Sequence, residues 1–444
     1  MFNCATFPFG FNNNARKRYP MQLSPTSPRI SFLHASDLHL GTSQYGNPTL
    51  SQDYVSALQQ ILQIALDKKV NFILLGGDFF TSRDLLPSIF DKTVQILQNF
   101  HNECQTTFQN QIPIIAIEGN HDIRRYSHGK RLEQKFSWLK VLHNLGLLIL
   151  LDIDLERFPK EGFRPYDEKT KTGSVLQIGN VKIFGTSFIK HDFPEFIQHC
   201  YHHLPDPGNQ DDPTNLDHTD KSRTFNIFLQ HFGIAGQMKN VPGKAYELIK
   251  NLRRKVHYLG LGHYHKGFEI ENWIFNLGSA EAVSAMETTF RRGIFHCEIN
   301  QNNQINQRSQ NSPKDRGFSK KITRIPLENR KYYWISIQLP MNLRDADAIY
   351  TFLRESIEKQ WRTNFGREVR KSALIENPRL FLVLRGNKPR KFSTHIQKQL
   401  QERLVKEFSV CEIRFYLKFT EAYQSLDKFL SVPIKYQKQQ ISSL

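Results

Sequence analysis

The feature that most constrains this chain is the alternation of short apolar segments with amphipathic helical segments from residue 30 onward. Ile30–Ala35, Phe72–Leu75 and Ile112–Ile117 have the length and composition of buried strands. Between them, residues 54–66 and 88–100 carry apolar side chains at helical spacing. Because this alternation is typical of parallel strands covered by helices, it predicts an α/β domain.

A second series of short strands follows between residues 147 and 298. Several of them are close enough in sequence to pair as hairpins, which is expected of a second sheet. We therefore predict an α/β fold with a two-sheet α/β/β/α sandwich and with surface loops at 157–172 and 206–223. The expected strands are Leu147–Leu151, Val175–Ile178, Val181–Thr186, Phe225–Gln230, Val256–Gly260, Phe268–Ile270, Trp273–Leu277 and Gly293–Glu298.

The chain is also long enough for more than one domain. Its 444 residues exceed what a single hydrophobic core usually supports. Residues 300–320 are rich in Gln, Asn and Lys and poor in apolar side chains, which is the composition of a linker, and we set its bounds at 300–328. The predicted parts are a flexible N-terminal segment (1–29), an α/β domain (30–299), a polar linker (300–328), a basic C-terminal domain (329–420) and a C-terminal tail (421–444).

The C-terminal domain has strand and helix patterns of its own. Apolar side chains alternate in its strand segments and recur at helical spacing between them, and Ser393 or Thr394 is a suitable N-cap for the second helix. The order β-α-β-β-α-β predicts a small α+β domain, with a split sheet and two helices on one face. The expected elements are Tyr332–Leu339, a helix over 343–361, a strand near 373–375, Leu380–Leu384, a helix from 394 and Cys411–Phe419.

Positive charge is concentrated in the same part of the chain. The formal net charge is +18, and residues 301–444 hold 28 Lys and Arg against 13 Asp and Glu. A domain with this balance attracts phosphate backbones, so nucleic acid is the expected partner. The alternative is a basic surface that serves only solubility, which predicts little binding to linear DNA even at low salt.

Several classes of protein do not fit this composition. No apolar stretch approaches the length of a membrane span, and residues 1–29 lack the apolar core of a secretory signal. The five cysteines are odd in number and far apart, which favours reduced thiols over a disulfide framework. We therefore expect a cytoplasmic protein with no membrane partner.

Five short polar motifs follow apolar strands and carry the residue types of a metal site. Strand ends in an α/β domain converge on one edge of the sheet, so these side chains are expected to meet. The motifs are Asp37-Leu38-His39, Gly77-Asp78, Gly119-Asn120-His121-Asp122, His231 and Gly262-His263-Tyr264-His265. The candidate ligands are Asp37, His39, Asp78, Asn120, His231, His263 and His265.

This donor set suits the hydrolysis of phosphate esters. Asp37 and His39 leave a strand end on the same side, so both can reach one ion. Asp78 follows two glycines that allow a tight turn, which lets its carboxylate bridge two ions. Two divalent ions roughly 3.5–4 Å apart activate water and stabilise the charge on the phosphoryl oxygens. Mixed nitrogen and oxygen ligands favour Mn²⁺, with Fe²⁺ or Zn²⁺ as alternatives.

In these motifs the chain resembles the calcineurin-like metallophosphoesterase family, and within it the SbcD-type DNA-repair exonucleases. The resemblance covers residues 30 to about 298 and includes Ser36-Asp37-Leu38-His39-Leu40-Gly41. It implies that His121 acts on the leaving oxygen as a general acid or charge stabiliser. It also implies one ion held by Asp37, His39, Asp78 and His265, and another held by Asp78, Asn120, His231 and His263.

The resemblance has one departure and several weaker implications. Family members often have His or Asp where this chain has Thr81, which leaves the rate and polarity of cleavage open. Arg124 and Arg125 are candidates for a DNA phosphate contact, with a surface salt bridge as the alternative. By resemblance, the partners would include an SbcC-like coiled-coil ATPase bound by the tail, and a homodimer is expected by family analogy. The tail could instead pack on its own domain.

Three functions remain open at this point. The first is a manganese-dependent exonuclease acting on DNA ends or single strands during repair. The second is a small-molecule phosphodiesterase or nucleotide pyrophosphatase, which would use the same metals. The third is a low-activity DNA-binding scaffold whose turnover is limited by Thr81.

Overall fold

The structure, a computed structural model, divides into two compact units, Met1–Leu327 and Glu328–Leu444. It describes the chain apart from residues 1–28, 44–47, 83, 124–125, 128–129, 132–136, 191, 207–223, 302–316, 341, 361–377, 390–391, 409 and 420–444. The expected N-terminal segment and C-terminal tail therefore lie almost wholly outside the described residues.

The first unit contains fourteen described strands and six described α-helices. The strands are β1 (Arg29–Ala35), β2 (Phe72–Leu75), β3 (Ile114–Ala116), β4 (Tyr126–Ser127), β5 (Lys130–Arg131), β6 (Ile149–Leu150), β7 (Val175–Ile178), β8 (Val181–Gly185), β9 (Phe225–His231), β10 (Tyr258–Gly262), β11 (Lys266–Ile270), β12 (Ile274–Gly278), β13 (Gly293–Gln301) and β14 (Phe318–Pro326). The helices are α1 (Pro48–Lys68), α2 (Pro87–Phe108), α3 (Trp138–Asn144), α4 (Phe158–Glu161), α5 (Phe193–His203) and α6 (Tyr246–Ile249), with 3₁₀ turns at Lys250–Arg254 and Ala285–Glu287.

These strands form two six-stranded mixed sheets. The first has the order β14-β13-β1-β2-β3-β6, with parallel pairing from β1 to β6. The second has the order β11-β12-β10-β9-β8-β7, with parallel pairing from β12 to β8. Parallel strands end at the same edge, so the residues that follow β1, β2 and β3 are neighbours, as are those that follow β9 and β10.

The main core lies between the two sheets. Phe32 and Phe72 of the first sheet stack at 5.1 Å between ring centroids, and Tyr258 and Phe275 of the second at 4.5 Å. Phe32 meets Tyr258 edge-on at 5.2 Å, which joins the two layers. α1 and α2 belong to this core, and α5 packs in a second cluster on the other side of the second sheet. The predicted α/β/β/α sandwich is confirmed.

Most expected elements in the described part of the chain lie within a few residues of the observed ones, but one expected loop differs. The segment 157–172, expected as a loop, contains α4 and a bridge between Asp167 and Thr172, because Phe158 is buried and anchors it. Residues 207–223 of the other expected loop lie outside the description.

The expected linker at 300–328 needs correction. β13 extends to Gln301, and β14 pairs antiparallel with β13 along its whole length. Phe318 is buried, and Ile322 and Ile325 pack against the main core, which explains why this charged segment is a strand. The low average hydropathy of the segment concealed this edge strand. The first unit consequently ends at Leu327.

The second unit contains strands β15 (Tyr332–Leu339), β16 (Arg379–Gly386) and β17 (Glu412–Phe419), with helices α7 (Ala346–Gln360) and α8 (Thr394–Phe408). The three strands pair in the order β15-β16-β17 and run parallel, which differs from the expected split α+β sheet. A helix between successive strands returns the chain to the same edge, and this connection produces parallel pairing. The further strand expected near 373–375 lies outside the described residues.

Two expectations from composition can be compared with the described part of the chain. No helix in it has the length and apolar composition needed to cross a membrane. No disulfide joins the described cysteines, which are Cys104, Cys200, Cys297 and Cys411, and Cys4 is not described.

Candidate metal centre

The loops after β1 and β2 run side by side at the edge of the first sheet. Asp37 N–H donates to Gly77 O at 3.0 Å, and His39 N–H donates to Asp78 O at 3.0 Å. Asp37, His39 and Asp78 all have left-handed backbone, with φ of 52°, 49° and 50°. Such conformations are uncommon for non-glycine residues, and strained backbone clusters at functional sites. The loops after β1 and β2 therefore have the backbone geometry of a functional site.

Two glycines of the motifs allow the loops to approach one another. A Cβ at Gly119 would overlap the backbone and carboxylate of Asp78. A Cβ at Gly262 would overlap Gly76 O and lie 2.8 Å from His231 Nδ1. The glycines in Gly-Asn-His-Asp and Gly-His-x-His are therefore required by close packing around the carboxylate and imidazole groups.

A first group of donors consists of Asp37, His39 and His265, whose ligand atoms lie within 4.8 Å of one another. The Nε2 atoms of His39 and His265 are 3.0 Å apart. His265 Nδ1 lies 2.9 Å from Glu287 Oε1, and since the carboxylate can only accept, Nδ1 carries the proton. Nε2 of His265 therefore presents a lone pair to the group unless the ring is also protonated there.

A second group consists of Asp78, Asn120, His231 and His263. His231 donates from Nδ1 to Gly76 O at 2.7 Å, so its Nε2 faces Asn120 Oδ1 at 3.1 Å and Asp78 Oδ2 at 3.3 Å. His263 Nδ1 lies 2.9 Å from the same Asn120 oxygen. Asp78 Oδ2 is also 4.0 Å from His39 Nε2, so Asp78 lies between the two groups.

The burial and composition of these groups fit a pair of bound cations. Asp37 is fully buried and Asp78 is 1% exposed. Imidazoles, rather than Lys or Arg, form the ion pairs of Asp78 that the described residues show. Buried carboxylates are costly unless positive charge compensates them, and the imidazoles of the two groups can supply that charge only by taking up protons. Divalent cations would supply the charge directly, and the nitrogen and oxygen donors suit Mn²⁺, Fe²⁺ or Zn²⁺.

The electrostatics of the side chains lead to the same conclusion. Burial raises the pKa of Asp37. Burial alone would lower the pKa of His231, but the Asp78 carboxylate raises it to about 9. Burial lowers the pKa of His263 to about 4. A cation bound between Asp78 and His231 would replace the proton that the carboxylate favours on this imidazole.

His121 lies next to both groups and is fixed by two hydrogen bonds. Its N–H donates to Asp78 Oδ1 at 2.7 Å, and its ring donates from Nδ1 to Thr81 O at 2.8 Å. Its ring meets that of His39 edge-on, with 4.9 Å between centroids. The Nε2 atom is thus the free end of the ring. Thr81 orients His121 through its backbone carbonyl, a contact that does not depend on the Thr81 side chain.

Asp122, the last residue of the Gly-Asn-His-Asp motif, binds the backbone of the loops and is not one of the candidate ligands. Its carboxylate accepts from the backbone N–H groups of Gly119 at 2.9 Å, Phe80 at 3.0 Å and Phe79 at 3.2 Å. Burial raises the pKa of Asp122 to about 8, while these hydrogen bonds oppose that shift. Asp122 thereby ties the loop that holds Asn120 and His121 to the loop that holds Asp78.

The structure brings together all seven predicted ligands and His121. Thr81 lies next to His121, whose ring binds the Thr81 carbonyl oxygen. Arg124 and Arg125 lie outside the described residues. Asp37, His39, Asp78 and His231 are buried, whereas Asn120, His121, His263 and His265 are partly exposed. The centre is therefore accessible from the side that carries His121.

Two residues around His265 were not expected from the sequence. Glu287 binds His265 Nδ1, and the backbone N–H of Val283 holds its other carboxylate oxygen at 3.0 Å. Arg292 donates to Glu287 O at 2.7 Å. Hydrogen bonding to His265 holds the pKa of Glu287 below its ordinary value, although burial alone would raise it. The only sequence signal was Ser284-x-x-Glu287, which by itself indicates a helix cap.

Comparison with known proteins identifies the family. The sequence model described as calcineurin-like phosphoesterase matches residues 30–267. The DNA double-strand break repair protein Mre11 of Methanosarcina acetivorans is 25% identical over 337 residues, 74% of this chain and 44% of that protein. Mre11 of Archaeoglobus fulgidus is 31% identical over 133 residues, 30% of this chain and 26% of that protein.

Among solved structures, a dimetal phosphatase from Danio rerio is 10% identical, with 61% of this chain and 94% of that chain covered and a TM-score of 0.33, too low an overlap to bear on function. The chain spans less than half the length of the curated relatives named above. The match of the family model to more than half of the sequence shows that this chain belongs to the calcineurin-like phosphoesterase family.

Proposed function

We propose that this protein is a metal-dependent nuclease that hydrolyses phosphodiester bonds at DNA ends or in single strands during repair. The observation that carries the proposal is the meeting of seven nitrogen and oxygen donors in two groups that share Asp78. Both groups lie beside a histidine whose ring has one free nitrogen. This is the arrangement that two-metal hydrolysis of a phosphate ester requires.

Two divalent cations are the proposed cofactors, with Mn²⁺ as the first candidate and Fe²⁺ or Zn²⁺ as alternatives. Asp37, His39 and His265 would hold one and Asn120, His231 and His263 the other, with Asp78 shared between them. When bound, these cations would supply a water-derived nucleophile near neutral pH and neutralise charge on the phosphoryl oxygens.

The protein's own contribution is to orient its side chains and one proton donor. The hydrogen bond from His231 to Gly76 O and the one from His265 to Glu287 direct Nε2 of each ring inward. His121 keeps its Nδ1 proton on Thr81 O, which leaves Nε2 as the other reactive end of the ring; with a second proton on Nε2, the imidazolium would donate that proton to the leaving oxygen or stabilise charge there. The partly exposed side of the centre would admit the substrate.

DNA is the proposed substrate for two reasons. The curated relatives named above are DNA double-strand break repair proteins. Residues 301–444 also carry 28 basic against 13 acidic side chains, which favours binding to a polyphosphate over binding to a small nucleotide. Arg124 and Arg125 remain proposed substrate contacts, while Thr81, which the sequence also suggested as one, is proposed to act through the carbonyl that holds the His121 ring.

Partners and assembly extend the proposal. By analogy with the Mre11 relatives, the protein would act with an SbcC-like coiled-coil ATPase and as a homodimer, in the cytoplasm. The tail at 421–444 is the proposed ATPase-binding segment, and it lies outside the described residues. Deletion of the tail without loss of ATPase binding would reject that part of the proposal.

A nuclease assay with Mn²⁺ on end-labelled duplex and single-stranded DNA tests the function. We expect cleavage by the wild type, alone or with its ATPase partner, and a loss of about 10²- to 10⁴-fold in His121→Ala. His395→Ala, which removes an exposed histidine of α8, is the matched control and should cleave like the wild type.

Two other outcomes would favour the alternative functions. Turnover of bis-p-nitrophenyl phosphate with intact DNA would indicate a small-molecule phosphodiesterase. DNA and metal binding without turnover, with a large gain in Thr81→His, would indicate the scaffold.

A further inference from the structure

The sheet of the second unit has two chemically different faces. Alternate side chains point to opposite faces of a strand, so each strand supplies residues to both. The helix-covered face is apolar and includes Ile335, Leu382 and Ile413, which pack with Leu353 of α7 and Leu404 of α8. The opposite face carries Tyr332, Trp334, Ser336, Gln338, Arg379, Phe381, Val383, Arg385, Glu412, Arg414, Tyr416 and Lys418.

Four aromatic rings form a contiguous cluster on this opposite face. Trp334 is 4.6 Å from Phe381 and 5.0 Å from Tyr416 between ring centroids. Phe381 is 5.6 Å from Tyr416, and Tyr332 is 6.0 Å from Phe381. Trp334 remains 36% exposed, a large value for the biggest apolar side chain. The indole is flanked by the two rings of Phe381 and Tyr416, so it has little rotamer freedom left to lose when a flat group stacks on it.

Cations surround the aromatic cluster. Arg379 is fully buried, pairs with Glu412 and lies 5.4 Å from the Tyr332 ring and 5.1 Å from the Phe381 ring. Arg414 binds the other oxygen of Glu412 at 2.9 Å. Arg385 and Lys418 are exposed and face each other across β16 and β17. The face therefore carries four basic side chains and one acidic side chain among the described residues. Arg379 and Arg414 engage Glu412, and Arg385 and Lys418 are the exposed cations.

We propose that this face of the β15-β16-β17 sheet is a platform for single-stranded nucleic acid. Bases would stack on Trp334 and Tyr416, and Arg385 and Lys418 would bind the backbone phosphates. Stacking suits any base because every base has a π-face, and the cations supply the charge complement. A duplex, whose bases are already stacked on one another, cannot use the rings in this way.

The charge of the face decides between this occupant and others. The tail at 421–444 contains apolar side chains but carries three basic and two acidic residues, so it offers no excess of negative charge. A second copy of this basic unit would meet it with like charge. Single-stranded nucleic acid is a polyanion with flat bases, so it matches both the positive charge and the aromatic rings of this face. The platform rests on the proposed action on DNA, and it adds that the bound nucleic acid is single-stranded and which residues contact it.

Binding of short oligo(dT) to the full-length protein in EDTA tests the platform without any contribution from metal-dependent cleavage. We expect Trp334→Ala to weaken binding by about 5- to 150-fold, the range for loss of one base stack. We expect Trp334→Phe to retain most of it. Oligo(dT) should quench tryptophan fluorescence in the wild type and much less in Trp334→Phe.

Lys418→Ala and Arg385→Ala keep the test decisive if Trp334→Ala does not fold. Each should reduce the slope of log affinity against log salt by about 0.7, the value for one lost phosphate contact on a single strand. Lys398→Ala, an exposed lysine of α8 on the helical side, is the matched control and should leave the slope unchanged.

The outcomes for the platform and for the proposed function are separable. Unchanged affinity and unchanged salt slope in all the face variants, with cleavage intact, would overturn the platform alone. Affinity that depends on the face without any metal-dependent cleavage would overturn the nuclease and leave the platform. Binding that becomes tighter after removal of residues 421–444, together with no effect of Trp334→Phe on the quenching, would identify the tail as the occupant and reject the proposal.

Discussion

The metal centre of the first unit and the aromatic face of the second are built in opposite ways. The candidate metal centre collects buried carboxylates and imidazoles on loops with left-handed backbone, and imidazoles are the partners of its Asp78 carboxylate. The aromatic face lies on regular strands, and its buried Arg379 already has the carboxylate of Glu412 as a partner. The first has donors suited to added cations, whereas the second already contains its own cations and has further exposed positive charge.

The same contrast holds for one desolvated cation in each unit. Arg379 has a carboxylate partner, and its pKa is raised, because the effect of Glu412 outweighs the opposing effect of burial. Lys320 of the first unit is half-buried against the Phe275 ring and donates to His257 O at 2.5 Å. Burial lowers the pKa of Lys320 to about 8. A paired cation thus stabilises its unit, while one held by a carbonyl and a ring costs stability when charged.

The largest expected effect is on the metal centre alone. Asp78→Asn should reduce Mn²⁺-dependent cleavage by about 10³-fold or more, since several kcal/mol of stabilisation depend on the shared carboxylate, at about 1.36 kcal/mol per tenfold. It should also remove the rise in thermal unfolding temperature that Mn²⁺ gives the wild type. Oligo(dT) binding in EDTA should not change. A parallel loss of oligo(dT) binding would contradict the separation of the two regions.

The second prediction concerns Lys320 and pH. The unfolded chain binds more protons than the folded one between pH 8 and the ordinary lysine pKa of 10.5, so wild-type stability should rise with pH across that window. Relative to Lys320→Met, the free energy of unfolding of the wild type should increase by about 3 kcal/mol across this window, from about 2.5 pKa units at 1.36 kcal/mol each. Denaturant unfolding of both proteins at several pH values measures it. Parallel pH profiles of stability for the two proteins would contradict the lowered pKa of Lys320.

The third prediction concerns Glu287, which the motifs did not reveal. Glu287→Gln should weaken Mn²⁺ binding by about 10- to 100-fold, because the carboxylate fixes the ring orientation and proton position of His265. Glu298→Gln, at a glutamate of β13 that pairs with Arg29 and Lys321, is the matched control. Isothermal titration with Mn²⁺ distinguishes them. Equal Mn²⁺ affinities in the two variants would show that Glu287 does not support metal binding.

The smallest effect is expected at Thr81. Because the Thr81 carbonyl, not its side chain, accepts the hydrogen bond from His121, Thr81→Ala should change the cleavage rate by less than about threefold, within about 0.6 kcal/mol. Steady-state cleavage of a labelled single strand measures it. A loss of tenfold or more would show that the hydroxyl takes part, for example by contacting the substrate.

The sequence predicted much of the fold because buried strands and amphipathic helices have distinct periods. β14 was missed because its apolar residues, such as Ile322 and Ile325, are diluted by lysines and arginines on an exposed edge. The donors near Asp78 could be anticipated because each follows a strand end in a compact motif. Their role as ligands remains a prediction. The parallel sheet of the second unit and its aromatic face could not be anticipated, because pairing between strands decides which residues become neighbours.

The backbone of the loops that carry Asp37, His39, Asp78 and His263 limits which substitutions can test the proposed activity cleanly. Each of these residues has a positive φ, a conformation that asparagine and aspartate tolerate better than alanine or β-branched residues. Alanine scanning would therefore mix the loss of a donor atom with a change in loop conformation. Asparagine exchanges at the two aspartates are the better catalytically dead reagents, because they neutralise the carboxylate and leave the main chain where it was.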